Sequence, residues 1–426
     1  MNIAIQHGHL IDPAQQRDGI HDVFISDGHI AAIDTAPDGF IADRTIDAKG
    51  LLVCPGFINI SNHFSLTEAQ PVASLLSEAK AAICNGITAL CLPPDSKPII
   101  DSPAAIDLIH AQTQDDRSAR IYAVGALTKQ LQGEQLSEML ALQTAGCVGV
   151  SNGRQTIKDT LVLRRAMEYA ASLGLTVFLH PSDPWLQSQG CMHEGTVSTR
   201  LGLGGIPDAA ETIAIARDIA LIAHTNVNAH FHHISSAQSL ELILTAKEKG
   251  LNISADISIH HLHLTEHDTA DYNALCHLLP PLRTHRDQAQ LRQVLQSGVI
   301  NMISGHHQPL SHDAKLGPFA ETLPGISSID SLVPLTFKLV EMGVLSYSQA
   351  VASLTQHPAK VLGLNSGQLA VGKMADICLI DPNNEYDCQT RHFASAGKNN
   401  PYENWCFQHR VVCTLLNGEV VYQYAP

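Results

Sequence analysis

Apolar residues fall along this chain in two rhythms. Near both ends they come in short runs broken by turns. MNIAIQHGHLID and HDVFISDGHIAAID open the chain, with Asp27-Gly28 as a hairpin turn. LAVGKMADICLID and VVCTLLNGEVVYQ close it, with Asn417-Gly418 at the turn. Both ends therefore read as pieces of one small β-sandwich, residues 1–52 together with 366–426. The middle differs. Compact apolar runs (ITALCLP, IYAVGAL, CVGVS, LTVFLH, VNAHFHHIS, NISADIS, VINMIS) alternate with stretches of helical spacing such as DTLVLRRAMEYAASLG and DAAETIAIARDIALIAHT. Strand–helix alternation sustained over residues 53–365 predicts an α/β fold, a (β/α)8 barrel. The run Leu51-Leu52-Val53-Cys54 reads as the buried strand that leads into the first functional loop, PGFINISNHFS.

Composition narrows the function classes. The chain has 426 residues, 45% of them hydrophobic, enough for a large core. A formal net charge of −15 argues against nucleic acid as a partner. No run of 18 apolar residues predicts a membrane helix, and the N-terminus lacks the basic and apolar regions of a secretion signal. The ten cysteines are scattered without a C-x-x-C pair, as in a cytoplasmic protein with reduced thiols. The GLGG of Gly202–Gly205 follows helix and loop sequence and does not open a nucleotide-binding unit, and there is no G-x-S-x-G elbow.

In such barrels chemistry gathers at the carboxyl ends of the strands. The residues following the apolar runs are Ser61 and His63, Asp95, Asn152, His180, His233, His260 and His261, and SGHHQPL from Ser304 to Leu310. Together with CPGFIN, GITALCLPPDSKPIIDS, AGCVGVSNG, EGTVSTRLGLGGIPDAAETIAIARDI, HFHHISSAQSLELI, LPPLRT, HHQPLSHDAKLGPFAETLPGISSIDSLVPL and GQLAVGKMADICLIDP, they resemble the dihydroorotase family of cyclic amidohydrolases over nearly the whole chain.

The resemblance implies a metal site, and this chain departs from it at most positions. The first strand should supply two histidine ligands, which fall on Ser61 and His63, with an orienting aspartate at Asn59. An arginine that grips the substrate carboxylate falls on Ser65, and a substrate-binding asparagine on Asp95. The anion bridging two metals falls on Asn152, expected to lie between the later ligands His180 and His233. The catalytic aspartate falls on His306, a following histidine on Leu310, and an asparagine on Leu279. Two divalent ions about 3.5 Å apart repel by roughly 20 kcal/mol at an effective dielectric near 20, which a bridging anion offsets and Asn152 does not. Ser65 offers no bidentate clamp.

Two readings follow for His63, His180, His233 and His306. They are relics hydrogen-bonded in a mostly emptied pocket, or they converge on at most one ion, a Zn. His232 is expected to pack on the other face of its strand, and His260 and His261 carry no ligand role. The resemblance is greatest to non-catalytic dihydroorotase-like proteins that associate with aspartate transcarbamoylase. It implies no cofactor, a homo- or hetero-oligomer with that transferase, and a place in pyrimidine biosynthesis. The alternatives are an active metal-dependent hydrolase of dihydroorotate or another cyclic amide, and a small-molecule binding protein using the old pocket.

Overall fold

Both chain ends meet in one sheet. In a computed structural model that describes residues 1–63, 73–113 and 115–425, eight strands join there. Their order is Glu419–Gln423, Arg410–Leu416, Ile377–Asp381, Leu52–Pro55, Ile3–Asp12, Arg17–Ser26 and His29–Ile33, with Arg44–Asp47 also paired to Ile3–Asp12. The two predicted hairpins turn at Asp27-Gly28 and Asn417-Gly418, all four residues at positive φ as such tight turns require. Period-two alternation divides the sheet. Val53, Ile377 and Leu379 face a core of their own with Ile3, Ile5 and Val23, while Leu52, Cys54, Cys378 and Ile380 pack into the core of the barrel.

Leu52–Pro55 is thus a strand of the terminal sheet, paired with Ile377–Asp381, and does not lead directly into the functional loop. The first barrel strand is the next one, Phe57–Asn59. Gly56 separates the two, and a side chain there would overlap Thr88.

The barrel strands are Phe57–Asn59, Ile87–Leu92, Arg120–Ala126, Gly149–Ser151, Val177–Leu179, Ala229–Phe231, Ile253–Ala255 continued by Ile257–Ser258, and Ile303–Ser304, each parallel to the next. A parallel bridge between Asn62 and His307 closes the ring. Helices follow the strands in turn: Leu75–Cys84, Pro103–Gln112, Met139–Thr144, Thr160–Ser172, Ala209–Thr225, Ala237–Glu248, His285–Ser297 and Ile329–Glu341. Asp159 caps Thr160–Ser172 by accepting from the amides of Leu161 and Val162. Inside the barrel Ile58, Ile60, Ala89, Cys91, Val124, Phe178 and Met302 form an apolar plug beneath the mouth. Among the described residues no helix is long and apolar enough to cross a membrane.

Candidate functional site at the barrel mouth

The carboxyl ends of the strands bring His63, His180, His233 and His306 together. Ring centroids are 5.8 Å apart for His180 and His233, 6.3 Å for His63 and His306, and 3.7 Å for His233 and His306. His233 and His306 both adopt positive φ, 56° and 49°, a conformation costly for a non-glycine residue and typical of built sites. Both nitrogen atoms of His233 and the Nδ1 atoms of His63 and His306 are buried without a hydrogen-bond partner. Burial, assisted at His63 by the Arg154 guanidinium, lowers the pKa of His63, and burial lowers those of His233 and His306 well below the usual imidazole value. His180 is pushed down to about 3, by burial first and Arg154 second. The rings are therefore neutral bases at neutral pH.

The positions expected to complete a metal site are otherwise engaged. Asn59 is buried; its Nδ2 donates to Asn62 Oδ1 at 2.7 Å and its Oδ1 accepts from the Gly305 amide at 2.8 Å, so it staples the first strand to the eighth. Asn152 does not stand between the imidazoles. Its Oδ1 accepts from Thr128 Oγ1 at 2.6 Å and its Nδ2 donates to the carbonyls of Leu131 and Gln155, away from the cluster. The end of the fourth strand presents Ser151 and Gly153 to the pocket instead. The chain turns there at φ 58° on Gly153, and neither residue offers a bridging anion. Ser65 lies outside the described residues. Leu279 and Leu310 do not line the pocket.

Asp95 lies against His63, with Oδ1 at 3.5 Å from Nε2. Its Oδ2 accepts from Arg154 Nε at 2.9 Å. Burial alone would raise the Asp95 pKa, but His63 and Arg154 outweigh it and hold the carboxyl well below the usual carboxylate range. Arg154 also donates to Gln308 Oε1 at 3.0 Å. A pocket lined by Ser61, His63, Gly153, Arg154, His180 and His233 holds about 20 Å³. That is room for about one water, whereas ligand pockets run to about 300–1,000 Å³.

Beside the cluster stands a carboxylate that the sequence reading missed. Asp256, at the end of the seventh strand, is fully buried and accepts four hydrogen bonds. They come from His230 Nε2 (3.0 Å), His232 Nδ1 (2.6 Å), Ser304 Oγ (2.5 Å) and the His233 amide (3.2 Å). Burial would raise the Asp256 pKa; the surrounding histidines outweigh it and the carboxyl stays ionised. His232, expected on the outer face, points inward: it lines the pocket and stacks on Phe178 at 5.3 Å. Alternation along AHFHH and SADIS was the available signal, because His230 and His232, like Ser254 and Asp256, fall on the inward set. His260 and His261 bond Tyr402 Oη and the Pro281 carbonyl instead.

These donors fit a metal poorly. An imidazole binds an ion in its own ring plane. His233 and His306 are stacked within 10° of parallel, so one ion cannot lie in both planes. Among the described residues the donor atoms that converge within 4.8 Å are those of His230, His232 and Asp256. Two ligands on one tetrahedral zinc are about 3.3 Å apart. The 2.6 Å contact of His232 Nδ1 with Asp256 is a hydrogen bond that an ion would have to break.

A ring of imidazoles at the mouth of an eight-stranded barrel, carried with a sheet made from both chain ends, defines an amidohydrolase-type protein. The Amidohydrolase family profile matches residues 52–421, and the chain belongs to that family, among the dihydroorotases and their like. It is 41% identical over 420 residues to a dihydroorotase-like protein of Pseudomonas putida, covering 99% of each chain. It is 40% identical over 423 residues to one from Pseudomonas aeruginosa, covering 99% of this chain and all of that one. A dihydroorotase of Geobacter sp. strain M21 is 36% identical over 426 residues, covering 99% of this chain and all of that one. Among solved structures, the L-hydantoinase (dihydropyrimidinase) of Arthrobacter aurescens superposes with a TM-score of 0.87 at 20% identity, over 99% of this chain and 96% of that one. At that identity the likeness concerns the fold.

Proposed function

We propose that this protein does not hydrolyse dihydroorotate and acts instead as a structural partner of aspartate transcarbamoylase, the preceding enzyme of pyrimidine synthesis. The observation that carries the reading is the mouth. Arg154, held by Asp95 and Gln308, lines a space of about 20 Å³ beside the histidines, and the fourth strand offers no acid to bridge two ions. At the position of the general base stands His306, stacked on His233 with no carboxylate of its own. The scaffold around this mouth is intact. Arg283, of the LPPLRT motif, is buried and donates to Ser235 Oγ, His193 Nδ1 and the Ile206 carbonyl, so sequence that no longer serves hydrolysis still serves a rigid barrel. The partner rests on the resemblance to non-catalytic dihydroorotase-like proteins that associate with the transferase.

The test is co-expression with the cognate aspartate transcarbamoylase catalytic chain. A complex that survives gel filtration, with transferase activity raised or dependent on this chain, is expected. Separate elution with unchanged transferase activity overturns the partner role.

A further inference from the structure

A cavity that includes none of the barrel-mouth histidines lies between helix Leu75–Cys84, helix Ile329–Glu341 and the paired tail strands Tyr386–Asp387 and Cys406–Phe407. It holds about 160 Å³, and a cavity of about 150 Å³ is enough to admit a benzene ring. The rings of Tyr386, Phe393, Phe407 and Tyr422 contribute to its wall. Tyr386 and Phe407 meet edge to face at 5.9 Å. The Arg410 guanidinium, also in the wall, lies over the Tyr386 ring with Cζ 3.7 Å from its centroid. Several polar groups here are already engaged. Asp330 accepts from the Ala394 amide at 2.7 Å, the Ser395 amide at 3.1 Å and Asn85 Nδ2 at 3.1 Å. His409 bonds Glu341 through Nδ1 at 3.1 Å and Tyr347 Oη through Nε2 at 3.0 Å. Three donors of the wall are not. Arg410 gives its Nε to Asn384 Oδ1 at 3.0 Å, and among the described residues its two Nη groups meet no acceptor. Among the same residues the hydroxyls of Tyr386 and Tyr422 have no hydrogen-bond partner, although both side chains are half-buried.

We infer that this cavity is a binding site for a small planar carboxylate, one six-membered ring bearing a carboxyl group: the ring packs on the aromatic wall, and the carboxylate accepts from Arg410 and the hydroxyls of Tyr386 and Tyr422. The inference rests neither on the loss of hydrolysis nor on the transferase. The unpaired groups decide the sign of the ligand. A guanidinium stays charged at every accessible pH and presents its Nη donors in a fork that matches a carboxylate. A cation finds no comparable partner, because the Asp330 carboxylate already accepts three N–H groups and Asp387 is exposed to water. The volume decides the size, and the aromatic lining favours a flat ring over an aliphatic acid. The site joins the tail to two barrel helices, so occupancy stabilises the folded chain by mass action.

The probe is benzoate, titrated into the full-length protein and followed by ligand-observed NMR, with neutral benzamide as the matched control. Saturable binding of one benzoate is expected, with benzamide at least about 10-fold weaker. Arg410→Met keeps an apolar stem over Tyr386 and removes the charge; it should weaken benzoate at least about 10-fold and leave benzamide unchanged. Tyr422→Phe keeps the ring and removes one donor, and should weaken benzoate about 5-fold. It serves as the second variant should Arg410→Met fail to fold by circular dichroism. His180→Ala, at the barrel mouth, should leave benzoate binding as it is. The inference is overturned if wild type shows no saturable benzoate binding, or if benzamide binds as tightly. It is equally overturned if the folded variants at Arg410 and Tyr422 bind benzoate like wild type, or if His180→Ala abolishes binding, which would place the probe at the histidines. The readout is binding away from the mouth, so its failure is distinguishable from failure of the non-hydrolytic reading, which the dihydroorotate assay judges.

Discussion

Histidines that lie neutral in the interior set the acid limit of this molecule. Burial holds His180 and His263 at about 3, and His230, His261 and His277 at about 4. In the unfolded chain an imidazole titrates near 6.5. Above that value neither state binds the proton, and burial has no pH-dependent effect. Below it only the unfolded chain is protonated, so stability falls as pH drops toward 4, by up to roughly 1.4 kcal/mol per pH unit for each ring. Asp95 and Asp256, whose folded values are depressed, add to the loss at still lower pH, once the unfolded carboxylates near 4 become protonated. Urea midpoints should therefore be level between about pH 8 and 7 and fall steeply from about 6.5 to 5. A flat profile over that range would contradict the assignment of these rings as buried neutral bases. At this scale the sequence was partly legible. His63, His180, His233 and His306 could be placed because each closes an apolar run. Arg154 could not, because its role depends on a turn at Gly153 that sends Asn152 to Thr128 and the guanidinium over the mouth.

Elements lock together through buried polar groups that no periodicity announces. Helix Leu75–Cys84 carries Glu78, fully buried, which accepts from His307 Nε2 at 3.0 Å, Ser395 Oγ at 2.7 Å and the Ala396 amide at 2.9 Å. His307 Nδ1 accepts from the Ser328 amide, so Nε2 is the protonated nitrogen that donates to Glu78. His307 also carries the backbone closure of the barrel, donating to the Ser61 carbonyl and accepting from the His63 amide. Glu78→Ala leaves three buried donors unmatched and should cost about 3–5 kcal/mol. Hydrogen exchange should rise first at the amides of His63 and His307. A loss below about 1 kcal/mol with unchanged exchange there would show that the seam does not depend on Glu78. The helices and strands themselves were readable from apolar spacing. The strand Leu52–Pro55 was misassigned because an apolar run buried on both faces looks the same in a terminal sheet and in a barrel.

At the scale of the whole molecule the two chain ends and the barrel form one scaffold. The terminal sheet is fastened to the base of the third barrel strand, where Arg120 donates to both carboxylate oxygens of Asp376 and to Asn417, and Thr414 reaches the Ile83 carbonyl at 2.8 Å. The fold was legible at this scale because strand–helix alternation and two turn-marked ends leave few architectures. Activity was not, because the same fold carries competent and incompetent sites, and only side chains at the strand ends decide between them. The losses at those ends concern different steps. Under the proposed reading, a metal pair without a bridging acid repels itself, and absence of the base alone costs roughly 10²–10⁴-fold. Ring opening of dihydroorotate by the purified, zinc-supplemented protein, freed of host hydrolase, is the most direct measurement. The account predicts no turnover above the uncatalysed rate, with or without zinc. Zinc-dependent turnover that disappears in His180→Ala would contradict it and make this chain a cyclic amidohydrolase with altered ligation.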